Sequence, residues 1–77
     1  MVSVTMFATA AVKSRSKRRS FEIPYRDEMT ALDIAWSEFS DTGLGLIMVM
    51  VNGKLVPIET VLADGDSVAL AFVISGG

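Results

Sequence analysis

Cysteine and histidine are both absent from the 77 residues. The chain therefore has no thiolate or imidazole for a metal, no Cys or His nucleophile and no disulfide staple. Proline occurs only twice and aromatic residues make up 8%. No apolar run is long enough to span a bilayer and no signal-peptide pattern stands at the start, so a soluble cytoplasmic protein is expected. Neither charge sign dominates, the net charge being −2. A domain of this size buries only roughly 60% of its unfolded surface and has little room for a deep catalytic pocket, so the chain is expected not to be an enzyme. What is plentiful is apolar side chain, 51% of the residues, which implies a dense core or a surface that meets a partner.

Val2, Val4, Met6 and Ala8 alternate with Ser3, Thr5, Phe7 and Thr9, the period-two pattern of a half-buried strand. A polar run from Lys13 to Ser20 leads to a second alternation, Phe21, Ile23 and Tyr25, so the two strands read as a hairpin with a long tip. Thr30 offers a capping oxygen, Asp33 sits where a capping box places its return acceptor, and Met29 is placed to staple onto Ile34. The helix that follows is expected to bury Leu32, Ala35, Trp36 and Phe39, with Asp33, Ser37 and Glu38 facing away. Gly43 and Gly45 end the helical region, and Leu46 to Val51 read as a strand apolar on both faces.

Asn52-Gly53 is the pair that a two-residue type I′ hairpin turn prefers, so Lys54 to Pro57 should return as a short strand. Asp64-Gly65-Asp66 marks another turn, and the almost wholly apolar segment from Ser67 to Ile74 should be central in the sheet. Pro24 and Pro57 assign their strands to the edges, because proline cannot donate to a ladder. Two outer strands, three inner strands and one helix in the order ββαββ describe an α+β fold, a β-grasp mixed sheet with the helix packed across one face. The chain shows no repeat and no low-complexity region, so residues 1–77 are expected to form a single domain with 75–77 as a flexible tail.

The sequence ends in Ser75-Gly76-Gly77 directly after the last strand. Two glycines at the last two positions arise by chance in roughly 0.5% of chains. A trimmed linker is another source of such an ending. Lacking Cβ atoms, two glycines thread a channel that any side chain would block, and they bring a free carboxylate into a buried site.

Val51-Asn52-Gly53, Leu62-Ala63-Asp64-Gly65-Asp66, the apolar final strand and the terminal Gly-Gly together resemble the ubiquitin-like sulfur carriers of molybdopterin and thiazole synthesis, the MoaD/ThiS group. The resemblance covers most of the chain and is strongest from Met50 onward. It implies that a ubiquitin-activating-type enzyme uses ATP and magnesium to adenylate Gly77. It further implies that a persulfide sulfurtransferase converts Gly77 to a thiocarboxylate and that a sulfur-accepting synthase subunit takes the sulfur. Gly77 is then the reacting residue, with Gly76 and Ser75 its slender approach. Phe72-Val73 stand where molybdopterin carriers often have a proline pair, while Val56-Pro57 and the ending are closer to thiazole carriers. The segment those carriers usually have after that proline is absent. Carriers for tRNA thiolation and modifiers joined to lysines share the same tail and remain alternatives.

If Val2, Val4 and Met6 face the helix, Phe7 lies on the opposite, open face of the sheet. Ala71 and Val73 alternate to that face, joined by Met48 and Met50 of the third strand. Flexible methionines on an open apolar face suit a protein that docks on several partners in turn. In the family that face and Leu62 contact partners. A β-grasp binding module working only through this face is the alternative from another class. The basic run Lys13, Arg15, Lys17, Arg18 and Arg19 invites a nucleic-acid reading. The slightly acidic chain and the lack of interleaved aromatics favour instead a solvated, mobile tip or an aid to docking on an acidic partner. Glu59, Asp64 and Asp66 without a pocket do not read as acid–base machinery, and no metal site is expected.

Overall fold

The structure is a computed structural model and describes residues 1–7, 10, 14–39 and 47–72. Its elements are β1 (Val2–Met6), β2 (Ser20–Ile23), α1 (Ala31–Phe39), β3 (Ile47–Val51), β4 (Lys54–Val56) and β5 (Ser67–Phe72). The expectations that fall on Ala8, Thr9, Lys13, Gly43, Gly45, Leu46 and residues 73–77 lie outside the described residues.

The five strands form one sheet in the order β2-β1-β5-β3-β4. β1 and β5 run parallel, and the other neighbours are antiparallel. The strands next to Pro24 and Pro57 are the two edges, as the missing proline N–H requires. β5, the most apolar segment, lies in the middle. This is the mixed sheet of the ubiquitin-like β-grasp fold, and α1 crosses one face of it.

Register explains the core. Val4 lies opposite Val68 and Met6 opposite Leu70, while Leu70 also faces Val49 and Val68 faces Val51. Val4, Met6, Val49, Val68 and Leu70 are buried and meet the buried helix residues Ala31, Ile34, Ala35 and Phe39. Phe39 closes one end against Phe72, ring edge to ring face, with centroids 5.2 Å apart.

The start of α1 is fixed by reciprocal bonds. The Asp33 N–H donates to Thr30 Oγ1 at 3.3 Å, and the Thr30 N–H donates to Asp33 Oδ2 at 2.9 Å, which is a capping box with aspartate as the return acceptor. Met29 and Ile34 are both buried in the core, as a staple requires.

Trp36 corrects the expected helix stripe. It is 56% exposed and not part of the core. The buried residues are Ala31, Ile34, Ala35 and Phe39, so the inward face is rotated by roughly three-quarters of one residue's 100° step from the expected stripe of Leu32, Ala35, Trp36 and Phe39. Alanines at two inward positions let the helix approach the sheet closely, where an indole would not fit. Replacing Trp36 with serine is accordingly expected to change stability by less than about 0.5 kcal/mol, as read from urea unfolding. A loss of several kcal/mol would contradict the rotated helix face.

Among the described residues no helix is long and apolar enough to cross a membrane.

Candidate functional site

The sheet face away from α1 divides into two halves. Alternation from the buried positions sends Ser3 and Thr5 of β1, Ser20 and Glu22 of β2 and Ser67 of β5 to one side of it, a polar half. Phe7, Ala69, Ala71, Met48, Met50 and Leu55 make the other half, which is apolar. Met48 lies opposite Ala71, and Met50 lies between Ala69 on β5 and Leu55 on β4. The Phe7 N–H donates to the Leu70 carbonyl at 3.1 Å, which carries the β1 to β5 pairing one residue past the strand. Phe7 is 49% exposed, Met48 37% and Leu55 68%. Four of the residues singled out from the sequence, Phe7, Met48, Met50 and Ala71, thus lie on one face.

Leu62 does not belong there. It is 2% exposed and sits in the core, which corrects the expectation of a contact residue near the turn. The segment before the turn is laid against the start of the helix: the Ala31 N–H donates to the Thr60 carbonyl at 3.1 Å, and the Leu62 N–H donates to the Met29 carbonyl at 2.7 Å. Extended alternation then points Leu62 inward and leaves Val61 outside. Leu55 is the residue that sequence reasoning missed. Its signal was register, since a type I′ turn at Asn52-Gly53 pairs Met50 with Leu55 across the hairpin.

The two turns at the far end of the sheet from Phe72 are fastened to each other. Asn52 and Gly53 both have positive φ, 52° and 84°, the geometry of a type I′ turn. Asn52 tolerates it and uses its amide twice: Nδ2 donates to Asp66 Oδ1 at 2.9 Å, and Oδ1 accepts the Ser67 N–H at 3.0 Å. The other carboxylate oxygen of Asp66 accepts the Ala63 N–H at 2.7 Å. Those two donors, the Ala63 amide first and the Asn52 amide second, hold the Asp66 carboxyl below the usual aspartate range. Asp66 is thus a turn clamp.

Because the folded-state value lies below the unfolded one, the clamp contributes fully above the ordinary aspartate value of about 4 and is lost as the pH falls through the lower folded value. Asp66→Asn should therefore lower stability at neutral pH and flatten its dependence on pH below about 4, measured by urea unfolding across that range. An unchanged acid slope would contradict the clamp.

The basic tip is fastened too. The Arg15 N–H donates to the Glu38 carbonyl at 2.7 Å, and the Ser16 N–H and Oγ–H both donate to Glu38 Oε1, at 3.1 and 2.8 Å. Ser14 is fully buried and its Oγ accepts the Lys17 N–H at 3.0 Å. The last turn of α1 thereby gains donors from the loop, while the side chains of Arg15, Arg18 and Arg19 remain exposed. Glu38, expected to face away, is half-buried for this reason. Within the tip, the backbone of Arg15 and Ser16 is tied to the helix end, and the Arg19 carbonyl is tied to Met6 of β1.

Gly77, Gly76, Ser75 and Val73 lie outside the described residues. Phe72, the last described residue of β5, is at the end of the sheet where Phe7 and Arg19 also lie, because β5 runs parallel to β1 and the Met6 N–H donates to the Arg19 carbonyl.

The sequence profile of the ThiS family matches residues 12–77. The chain belongs to the ThiS family. Among solved structures, this ThiS-family chain is similar to SAMP1 from Haloferax volcanii, with a TM-score of 0.72, 22% identity and 99% and 98% of the two chains covered. At that identity the likeness is one of fold. It is also similar to a chain in the complex of subunits 1 and 2 of molybdopterin-converting factor from Helicobacter pylori 26695, with a TM-score of 0.61, 26% identity and 99% and 97% covered. Comparison with curated protein sequences gave no match.

Proposed function

We propose that the protein is a ubiquitin-like sulfur carrier, a substrate of other enzymes and not a catalyst, with Gly77 as the residue that reacts. The supporting observation is the ThiS-family match, which runs through Gly76 and Gly77, on a β-grasp body that presents an open apolar face. The Gly77 carboxylate attacks the α-phosphate of ATP in a ubiquitin-activating-type enzyme that holds the magnesium, and pyrophosphate leaves. A persulfide sulfur then attacks the acyl carbon of the adenylate and displaces AMP. A thiol cleaves the resulting acyl disulfide, leaving a thiocarboxylate on Gly77 and a new disulfide on the donor. The sulfur goes to a synthase of molybdopterin or of the thiamine thiazole, or to tRNA thiolation.

Phe7, Met48, Met50, Ala71 and Leu55 form the docking face in this reading. A related chain from Helicobacter pylori is seen in a complex of two subunits of molybdopterin-converting factor, and docking on a partner subunit is the use proposed for this face. The tests of the reading are ATP–pyrophosphate exchange by an adenylating enzyme in the presence of the protein, and a search for higher-mass conjugates in cells. Exchange that requires Gly77, without lysine conjugates, is the expected outcome. Exchange without Gly77 would overturn the carrier reading, and conjugates on lysines would turn it into that of a modifier.

A further inference from the structure

A second surface lies on the helix side of the sheet, away from the open apolar face. β2 is an edge strand, and between it and α1 runs a groove of about 250 Å³. Buried Met29 and Ile34 form its floor, with Phe21 and Ile23 on one wall and Ser37 on the other. Drug-sized ligands take pockets of about 300–1,000 Å³ that enclose most of their surface. This groove is smaller, with room for a few aliphatic side chains.

The strand beside it is ready to pair. The Met6 N–H donates to the Arg19 carbonyl at 2.7 Å, and the register continues with Val4 opposite Phe21 and Val2 opposite Ile23. In an antiparallel ladder alternate pairs exchange both bonds, so Phe21 and Ile23 use their backbone groups on β1 while Ser20 and Glu22 aim theirs outward. Among the described residues no strand takes those groups. Pro24, without an N–H, ends this edge after Ile23.

Charge gives the groove a direction. At the Ser20 end Arg15, Arg18 and Arg19 are exposed, and the Arg18 guanidinium lies over the Phe21 ring at 4.1 Å from its centroid. The acids that border the groove are engaged, Asp33 with the Thr30 N–H and Glu38 with Ser16. At the other end Arg26 is followed by Asp27 and Glu28, so the cationic excess is confined to one end.

We propose that the groove between β2 and α1 binds an extended apolar segment of a partner protein. That segment is added as a strand to β2, with acidic residues at the end that meets Arg18 and Arg19. Backbone bonds to Ser20 and Glu22 supply pairing, and alternate side chains enter the groove, the mode by which exposed sheet edges recruit peptides. Gly77 takes no part, so a partner is held here while the open face and the tail engage another protein.

The test is a nitrogen-15 NMR titration of the full chain with a synthetic Glu-Glu-Glu-Val-Ile-Val-Ile peptide. Saturating amide shifts confined to residues 19–23 and 33–38 are expected. The double variant Arg18→Glu, Arg19→Glu should weaken binding by about tenfold. Ser37→Arg, at an exposed wall position, should abolish it with the fold intact. The absence of saturating shifts would overturn the proposal, as would shifts centred on Met48 and Met50 or equal affinity for the same peptide with lysines replacing glutamates. A response of the basic loop to oligouridylate but not to the peptide would replace it with an RNA site. Unchanged binding by a chain lacking Gly77 is expected, so failure here leaves the sulfur-carrier reading intact.

Discussion

Gly76→Val, or a single residue appended after Gly77, is expected to reduce adenylation of the chain about a hundredfold or more while leaving its thermal unfolding midpoint unchanged. Both halves of that expectation have a physical source. A valine side chain at Gly76 blocks passage through a channel sized for backbone alone and removes the angles open only to glycine. An added residue carries the carboxylate past the reacting phosphate, and misplacement by about 1 Å is enough to cost roughly a hundredfold. The unfolding midpoint, by contrast, is set by the buried core, whose strand members include Val2, Val4, Met6, Val49, Val68 and Leu70, and a glycine has no side chain to contribute to such a core. The check is the initial rate of adenylate formation beside a circular-dichroism melt of each variant. A variant that adenylates at the parent rate would remove Gly77 from the chemistry.

Leu70→Ala should have the largest effect on stability. Leu70 is fully buried on the central strand, opposite Met6 on one side and Val49 on the other. Truncating a buried leucine costs about 2–5 kcal/mol, the higher figure where neighbours cannot collapse into the gap. Here the neighbours are tied on both sides by strand pairing, which favours the upper half of that range. A chain of this length has roughly 4–12 kcal/mol in total at the usual stability per residue. The variant is therefore expected to lose roughly a third or more of the chain's stability, as measured by urea unfolding. A cost below about 1 kcal/mol would mean that the β1-β5-β3 centre is not the packed core described.

Local chemistry was what the sequence conveyed well. The Asn52-Gly53 turn, the Thr30 and Asp33 caps, the edge positions beside Pro24 and Pro57 and the central place of β5 each follow from one or two residues and a backbone rule. Positions set by distant partners were less legible. By sequence Trp36 reads as core, because large apolar residues at helical spacing usually are. The face that turns inward carries Ala31, Ile34, Ala35 and Phe39 instead, which the spacing of large apolar residues does not reveal. Leu62 looked like a surface residue near a turn until the bonds of residues 60–62 to the helix start turned it inward. The strap from Arg15 and Ser16 to Glu38 joins segments that share no pattern, so nothing in either segment announced it.

The open face was legible in outline because alternation alone carries Phe7, Met48, Met50 and Ala71 to one side. Leu55 escaped because a three-residue strand, Lys54–Val56, offers too little alternation to assign a face without its register. Asp66 shows the opposite case, a residue marked by its motif whose carboxylate is occupied by the Ala63 and Asn52 donors. The motif Asp64-Gly65-Asp66 is thus explained by turn geometry, and the proposed chemistry is left to Gly77.

Intact mass spectrometry of the protein after incubation with ATP, magnesium, a persulfide donor and an adenylating enzyme tests the central claim most directly. The account predicts a mass gain equal to replacing one oxygen by one sulfur, located on Gly77 and absent when Gly77 is deleted. An unchanged mass, under conditions in which the same enzyme modifies a known carrier, would contradict it and leave the apolar face as the working part of the molecule.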